Sequence, residues 1–182
     1  MSRGKYILFE TNLGSCGVVW HESDKARGGL AVTAFHLPEA SKLLTAERIA
    51  ADTSAEEARM VPPPITEIIK RVQQHLAGKT QDFSDIEIDL VSAGPFAKEV
   101  YAAARKIPAG QTMSYGELAR AIKHPKAARA VGQALARNPI PLIIPCHRVL
   151  AAGNRVGGYS APGGIATKTN ILAIEGAAVT SK

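Results

Sequence analysis

The break at Ser92-Ala93-Gly94-Pro95 constrains this chain most, because the residue patterns on its two sides call for different architectures. Before it, short apolar runs alternate with glycine-bearing turns. Lys5–Glu10, Gly17–Trp20 and Leu30–Phe35 have strand length, and Gly14-Ser15 and Arg27-Gly28-Gly29 separate them. That pattern predicts a short β-ribbon. Glu39–Ala50 is helical in composition. Pro62-Pro63-Pro64 can open a helix, since the first helical turn does not need its N–H groups. In that helix Ile65, Ile68, Ile69, Val72 and Leu76 recur at helical spacing, and Gly78 marks the end. Ile86, Ile88 and Leu90 alternate with Glu87 and Asp89, which predicts a half-buried strand over Ile86–Val91.

Beyond the break the pattern is helical. Phe96–Lys106 places Phe96, Val100, Tyr101 and Ala104 on one side. Pro108-Ala109-Gly110 makes a turn, and Ser114-Tyr115-Gly116-Glu117 fits a capping box. A helix therefore begins at Ser114 and runs to about Lys123, where His124-Pro125 interrupts it. A second helix follows as far as Asn138 and stops before Pro139. Two short helices with a tight break form a helix-turn-helix pattern. In the second helix Ala127, Ala130, Val131, Ala134 and Leu135 form the apolar stripe. The opposite face carries Ala128, Arg129, Gly132, Gln133 and Ala136. Apart from one arginine, that face is nearly bare. Small residues allow close approach to another surface, although alanine is also simply the best helix former. Glycine is unfavourable in a helix, so Gly132 points to close approach or to packing against another element.

Charge divides along the same line. Residues 1–93 hold 10 Lys/Arg against 13 Asp/Glu, a balance of −3, and residues 94–182 hold 12 against 3, a balance of +9. A basic half beside an acidic one suggests a polyanion partner, and a generally basic surface is the alternative. No apolar run is long enough to span a membrane, and Met1-Ser2-Arg3-Gly4-Lys5 lacks the apolar core of a signal peptide. The expectation is a soluble, intracellular protein. Cys16 and Cys146 provide neither a disulfide framework nor a metal cluster, and His21 and His36 stand too far apart in sequence to complete one.

Cys146 follows the apolar run Ile140-Pro141-Leu142-Ile143-Ile144-Pro145 and precedes His147. Thiolate is the reactive form of cysteine, and a neighbouring histidine and basic residues favour it. The string Asn138–Val149 resembles the active-site signature of the O6-alkylguanine-DNA alkyltransferases. The resemblance extends to Ser114–Ala119, Ala127–Gly132, Gly158-Tyr159-Ser160, Gly163-Gly164, Lys168 and Glu175-Gly176, in the family's order from about Phe96 to Gly176. Before Phe96 it rests on general layout.

The resemblance implies a fold: an α/β (α+β) N-terminal domain, residues 1–93, then a mainly helical, winged-helix-like domain, residues 94–182, with the helix-turn-helix. It implies irreversible transfer of an alkyl group from O6 of guanine (or O4 of thymine) in double-stranded DNA to Cys146, once per molecule and with the base flipped out. In the family's scheme a water links Cys146 to His147, and Glu175 orients the histidine. Tyr115 donates to the guanine ring, Asn138 fixes the turn before the cysteine, and Lys168 holds the site's architecture. Arg129 replaces the flipped base, with Ala128 and Gly132 beside it on the minor-groove face. Val149, Tyr159 and Ser160 line the base pocket. No cofactor or metal is implied. The expected protein is monomeric, does not bind membranes, and works in the cytoplasm or, in a eukaryote, the nucleus.

Two departures stand out. Ala161-Pro162 is an apparent insertion before Gly163-Gly164, which leaves the pocket width open. Lys123-His124 stands where a glycine often closes the first helix. Two other functions compete. A non-catalytic helix-turn-helix binder of alkylated DNA would not need Cys146, and a cysteine hydrolase would not need the face around Gly132.

Overall fold

The computed structural model describes residues 4–180, and within them the chain divides into two compact units. The first comprises the described residues to Gln81 together with Asp85–Asp89. The second comprises Asp82–Ser84 and Leu90 onward. Asp82–Ser84 joins the second unit because Arg105 donates to the Phe83 and Ser84 carbonyls at 2.8 and 3.0 Å.

In the first unit β1 (Lys5–Thr11), β2 (Gly14–Glu22) and β3 (Leu30–His36) form an antiparallel meander. A two-residue strand, β4 (Glu56–Glu57), adds in parallel to β1, giving the order β3-β2-β1-β4. Sequence pattern did not predict β4, which is two glutamates; its ladder is reinforced by Lys5 Nζ and Glu56 Oε2 at 3.1 Å. Helix α1 (Lys42–Asp52), capped by Ser41, sets Ile49 against Val19 and Ala34. Helix α2 (Pro63–Leu76) starts inside the proline run and buries Ile65, Ile68, Val72 and Leu76. Full burial of each such side chain contributes about 1.5–3 kcal/mol.

The strand expected over Ile86–Val91 does not form. Only Ile88 bridges, to Val32, with Val32 N–H donating to the Glu87 carbonyl and Asp89 N–H to the Val32 carbonyl. The alternation is real at Ile86, which is buried, but Leu90 and Val91 turn away before a second bridge can form.

The second unit contains α3 (Pro95–Ala104), α4 (Tyr115–Ala121) and α5 (Ala128–Ala136), which pack on one another through Val100, Tyr101, Leu118, Val131 and Leu135. The Tyr101 hydroxyl donates to the Ala134 carbonyl at 2.8 Å, tying α3 to α5. The capping box at Ser114 is present: the Glu117 N–H donates to Ser114 Oγ and the Ser114 N–H to Glu117 Oε2. Two short strands, β5 (Met113–Ser114) and β6 (Val149–Leu150), pair in parallel. A single 3₁₀ turn, Cys146–Arg148, precedes β6, and α6 (Gly164–Ile174) closes the unit. This mixture of a small sheet with a helical second half matches the expected α/β class. Among the described residues no helix is long and apolar enough to cross a membrane.

Candidate active site

The site is organised by the turn that carries Cys146. Asn138 lies just past the end of α5, and its side chain pins that turn from inside. Its carbonyl oxygen accepts from the Ile140 N–H at 3.0 Å. Its amide donates to the Ile144 carbonyl at 2.9 Å and to Cys146 Sγ at 3.2 Å. The turn is tight: Leu142 has φ 74°, a left-handed conformation that branched side chains rarely adopt, yet Leu142 is fully buried. The Cys146 N–H then reaches back to the Ile144 carbonyl at 2.7 Å. The nucleophile candidate thus sits on a backbone held from both sides.

Cys146 is only 6% exposed. Burial pushes its thiol above the usual range. The Asn138 amide, the Lys168 charge and Tyr159 pull it partly back. Each of these would stabilise a thiolate, so the pocket is built to receive a negative charge that desolvation otherwise resists.

His147 and Glu175 are fully enclosed side chains, with His147 Nε2 and Glu175 Oε1 2.9 Å apart. The resemblance did not assign Arg148, the next residue. Its Nε and Nη2 reach both oxygens of Glu175, at 2.8 to 3.3 Å. Sequence held one signal for it: a charged residue inside the apolar stretch Ile143–Leu150 must be paired if that stretch is buried.

The parallel pair β5–β6 aligns Ser114 with Leu150, which sets Tyr115, the first residue of α4, beside the chain leaving Cys146. Burial raises the Tyr115 phenol, with Cys146 contributing. A Cβ built on Gly132 would lie 3.8 Å from the Tyr115 ring, so Gly132 is where α5 meets Tyr115. That separation is ordinary van der Waals contact, so packing against Tyr115 does not by itself require glycine at 132. Lys168, fully buried on α6, donates from Nζ to the Val149 carbonyl at 2.6 Å and lies 5.9 Å from the centroids of both the Tyr115 and Tyr159 rings. Burial lowers its amine to about 8, against the opposing pull of Cys146. The Tyr159 phenol is pushed well above its usual value, chiefly by burial and then by Cys146. Arg129 and Ser160 are exposed and Ala128 is half-buried, so these three stand outside the buried cluster.

Ala161-Pro162 forms a tight turn. The Gly164 N–H donates to the Ala161 carbonyl at 3.0 Å, and Gly163 takes φ 77°, ψ −7°. Proline second and a left-handed glycine third are the residues a type II turn requires. Thr167 Oγ1 donates to the Pro162 carbonyl at 2.7 Å and locks the turn to the first turn of α6. Ala161-Pro162 thus forms an ordered lip.

Fold and site together define a helix-turn-helix protein with a buried, hydrogen-bonded cysteine beside a carboxylate–histidine pair. The family model described as "6-O-methylguanine DNA methyltransferase, DNA binding domain" matches residues 95–177. A methylated-DNA–protein-cysteine methyltransferase of Mycolicibacterium paratuberculosis is 43% identical over 107 residues, 59% of this chain and 62% of that protein. The Methanosarcina acetivorans protein of that name is 40% identical over 111 residues, 60% of this chain and 68% of its own length. In the solved structure of Mycobacterium tuberculosis OGT in complex with DNA the likeness covers 94% of this chain and 92% of that one, at TM-score 0.73 and 32% identity. The chain belongs to the methylated-DNA–protein-cysteine methyltransferase family.

Proposed function

We propose that this protein repairs DNA by moving a methyl or other alkyl group from O6 of guanine to Cys146, irreversibly and once per molecule. One observation carries the reading. Within the segment similar to the family's DNA-binding domain, Cys146 is a buried thiol that receives a side-chain N–H from Asn138, and the next residue forms a buried pair with Glu175.

The chemistry is displacement at carbon. Cys146 Sγ forms a bond to the alkyl carbon as the carbon–O6 bond breaks. The electron pair leaves with the guanine ring, and the thiol proton must go elsewhere. His147, oriented by Glu175, is the group suited to take that proton, through a bridging water. Tyr115 is suited to donate to the ring as its charge develops, the moment at which such a hydrogen bond contributes most. The thiol proton is thereby balanced by the proton the departing guanine gains. Lys168 and Asn138 support the thiolate and the turn that carries it. The Val149 carbonyl, already accepting from Lys168, has a second lone pair for the guanine amino group.

The substrate base has to leave the duplex to reach a cysteine this buried. Arg129, the one long cation on the exposed face of α5, is the residue suited to fill the gap, with Ala128 and Gly132 allowing close approach. Tyr159 and Ser160 would border the flipped base. Residues 94–182 carry all of these groups and most of the positive charge, so residues 1–93 are assigned a structural role. The partner is double-stranded DNA carrying O6-alkylguanine, the acting species is a monomer, and the site of action is the compartment that holds the DNA. The Cys146→Ala variant tests the assignment: it should bind O6-methylguanine duplex within about twofold of the wild type, since the thiol contributes little ground-state binding, and acquire no methyl group. Methylation of that variant would move the acceptor elsewhere.

A further inference from the structure

Arg148 takes no part in the scheme above, yet it is 6% exposed at the centre of the site. Its guanidinium has two anchors. Nε meets Glu175 Oε1 and Oε2 at 3.3 and 3.0 Å, and Nη2 meets Oε1 at 2.8 Å. Nη1 donates to the Ile107 carbonyl at 2.5 Å. Oε1 is also the oxygen that faces His147 Nε2. A single buried oxygen is thus shared between the histidine and the arginine. The Ile107 contact ties the guanidinium to the backbone, so it cannot follow if the carboxylate swings.

A carboxylate cut off from water is driven to take up a proton unless a cation faces it. A protonated Glu175 would lose the charge that favours a protonated His147. Lysine could supply the charge but not the fork that fixes both oxygens. We infer that Arg148 is a positioning residue of the transfer reaction: it keeps Glu175 ionised and holds Oε1 as the acceptor for His147. This rests on the alkyl-transfer reading, and Arg148 acts only through Glu175.

The test is the single-turnover rate of methyl transfer from an O6-methylguanine duplex, followed between about pH 6 and 9 so that the relevant ionisations are crossed. Arg148→Gln should be roughly ten- to a hundredfold slower near pH 7, the range expected when a general base loses its support. Its deficit relative to the wild type should shrink as pH rises, because alkali removes the proton that the missing cation allowed. Arg148→Lys, which keeps the charge, should parallel the wild-type pH curve at a lower rate. A deficit of constant factor at every pH in Arg148→Gln would overturn the inference and leave a purely structural ion pair. If Arg148→Gln does not fold, the comparison moves to a Glu175→Gln background, where no buried carboxylate charge remains. There the added Arg148→Gln change should alter the rate by less than about twofold, since residues acting through one group are not additive. A further large loss in that background would overturn the inference. Absence of transfer by the wild type at any pH would instead defeat the alkyl-transfer reading itself.

Discussion

At the residue scale, the site's defining conflict is a nucleophile placed where its reactive form is disfavoured. Burial holds the Cys146 thiol above its usual range, so the neutral thiol persists to higher pH than for a free cysteine. That guards the residue against stray alkylation and makes its activation depend on a proton acceptor. Asn138 opposes the burial effect most strongly. Asn138→Ala should therefore push the thiol further up. Iodoacetamide labelling of Cys146 should rise with pH along a curve displaced to higher pH than in the wild type. A curve displaced to lower pH would show that the amide does not stabilise the thiolate. The roles of Asn138 and Arg148 were differently legible. Asn138 reads locally as a helix stop before Pro139, and only the returning turn reveals its bond to sulfur. Arg148 reads as a charge that needs a partner if its apolar surroundings are buried, but the partner itself, Glu175, lies 27 positions away and is not legible locally.

At the element scale, local signals held where the cause was local. The capping box at Ser114, the proline start of α2 and the apolar face of α5 all form as their spacing predicts. Ile86–Val91 makes only one bridge to the open edge of β3, because alternation specifies which faces are buried but not how many residues stay alongside a neighbour before the chain turns at Leu90–Ala93. The end of α4 explains the second departure noted in the sequence. The Lys123 N–H donates to the Arg120 carbonyl and the His124 N–H to the Ala119 carbonyl, with Lys123 at φ 62°. This is a Schellman closure with lysine at the left-handed position that glycine usually fills. The steric cost to an L-residue there is about 1–2 kcal/mol, offset in part by the greater unfolded-state entropy of glycine. Lys123→Gly should accordingly stabilise the protein by about 0.5–1 kcal/mol, read as a raised midpoint in urea unfolding. A lowered midpoint would mean that the lysine side chain contributes more than its backbone costs.

At the scale of the whole molecule, the charge split visible in the sequence coincides with chemistry: the second unit contains Cys146, the carboxylate–histidine pair and a fully buried lysine. Lys168 makes stability depend on pH. Its amine lies near 8 in the folded protein against an ordinary 10.5. Between those values the unfolded chain binds the proton more readily, so low pH favours unfolding. Stability from this group rises as pH climbs from about 8 to 10.5, by an amount on the order of 3 kcal/mol in the limit. Comparison with Lys168→Met cancels the titrations that the two proteins share. The wild type should gain on the variant between about pH 7.5 and 9.5 in urea unfolding, and a constant difference would contradict the lowered amine. A single irreversible transfer to Cys146 shows itself in the stoichiometry. The protein is incubated with a large excess of O6-methylguanine duplex, and methyl groups transferred are counted by intact mass and by peptide mapping. Transfer should plateau at about one methyl per molecule, all of it on Cys146, because taking the methyl back off a neutral thioether would require an unactivated thiolate to leave, so the thiol is not regenerated. Demethylation continuing past one equivalent, or methyl found on another residue, would contradict it.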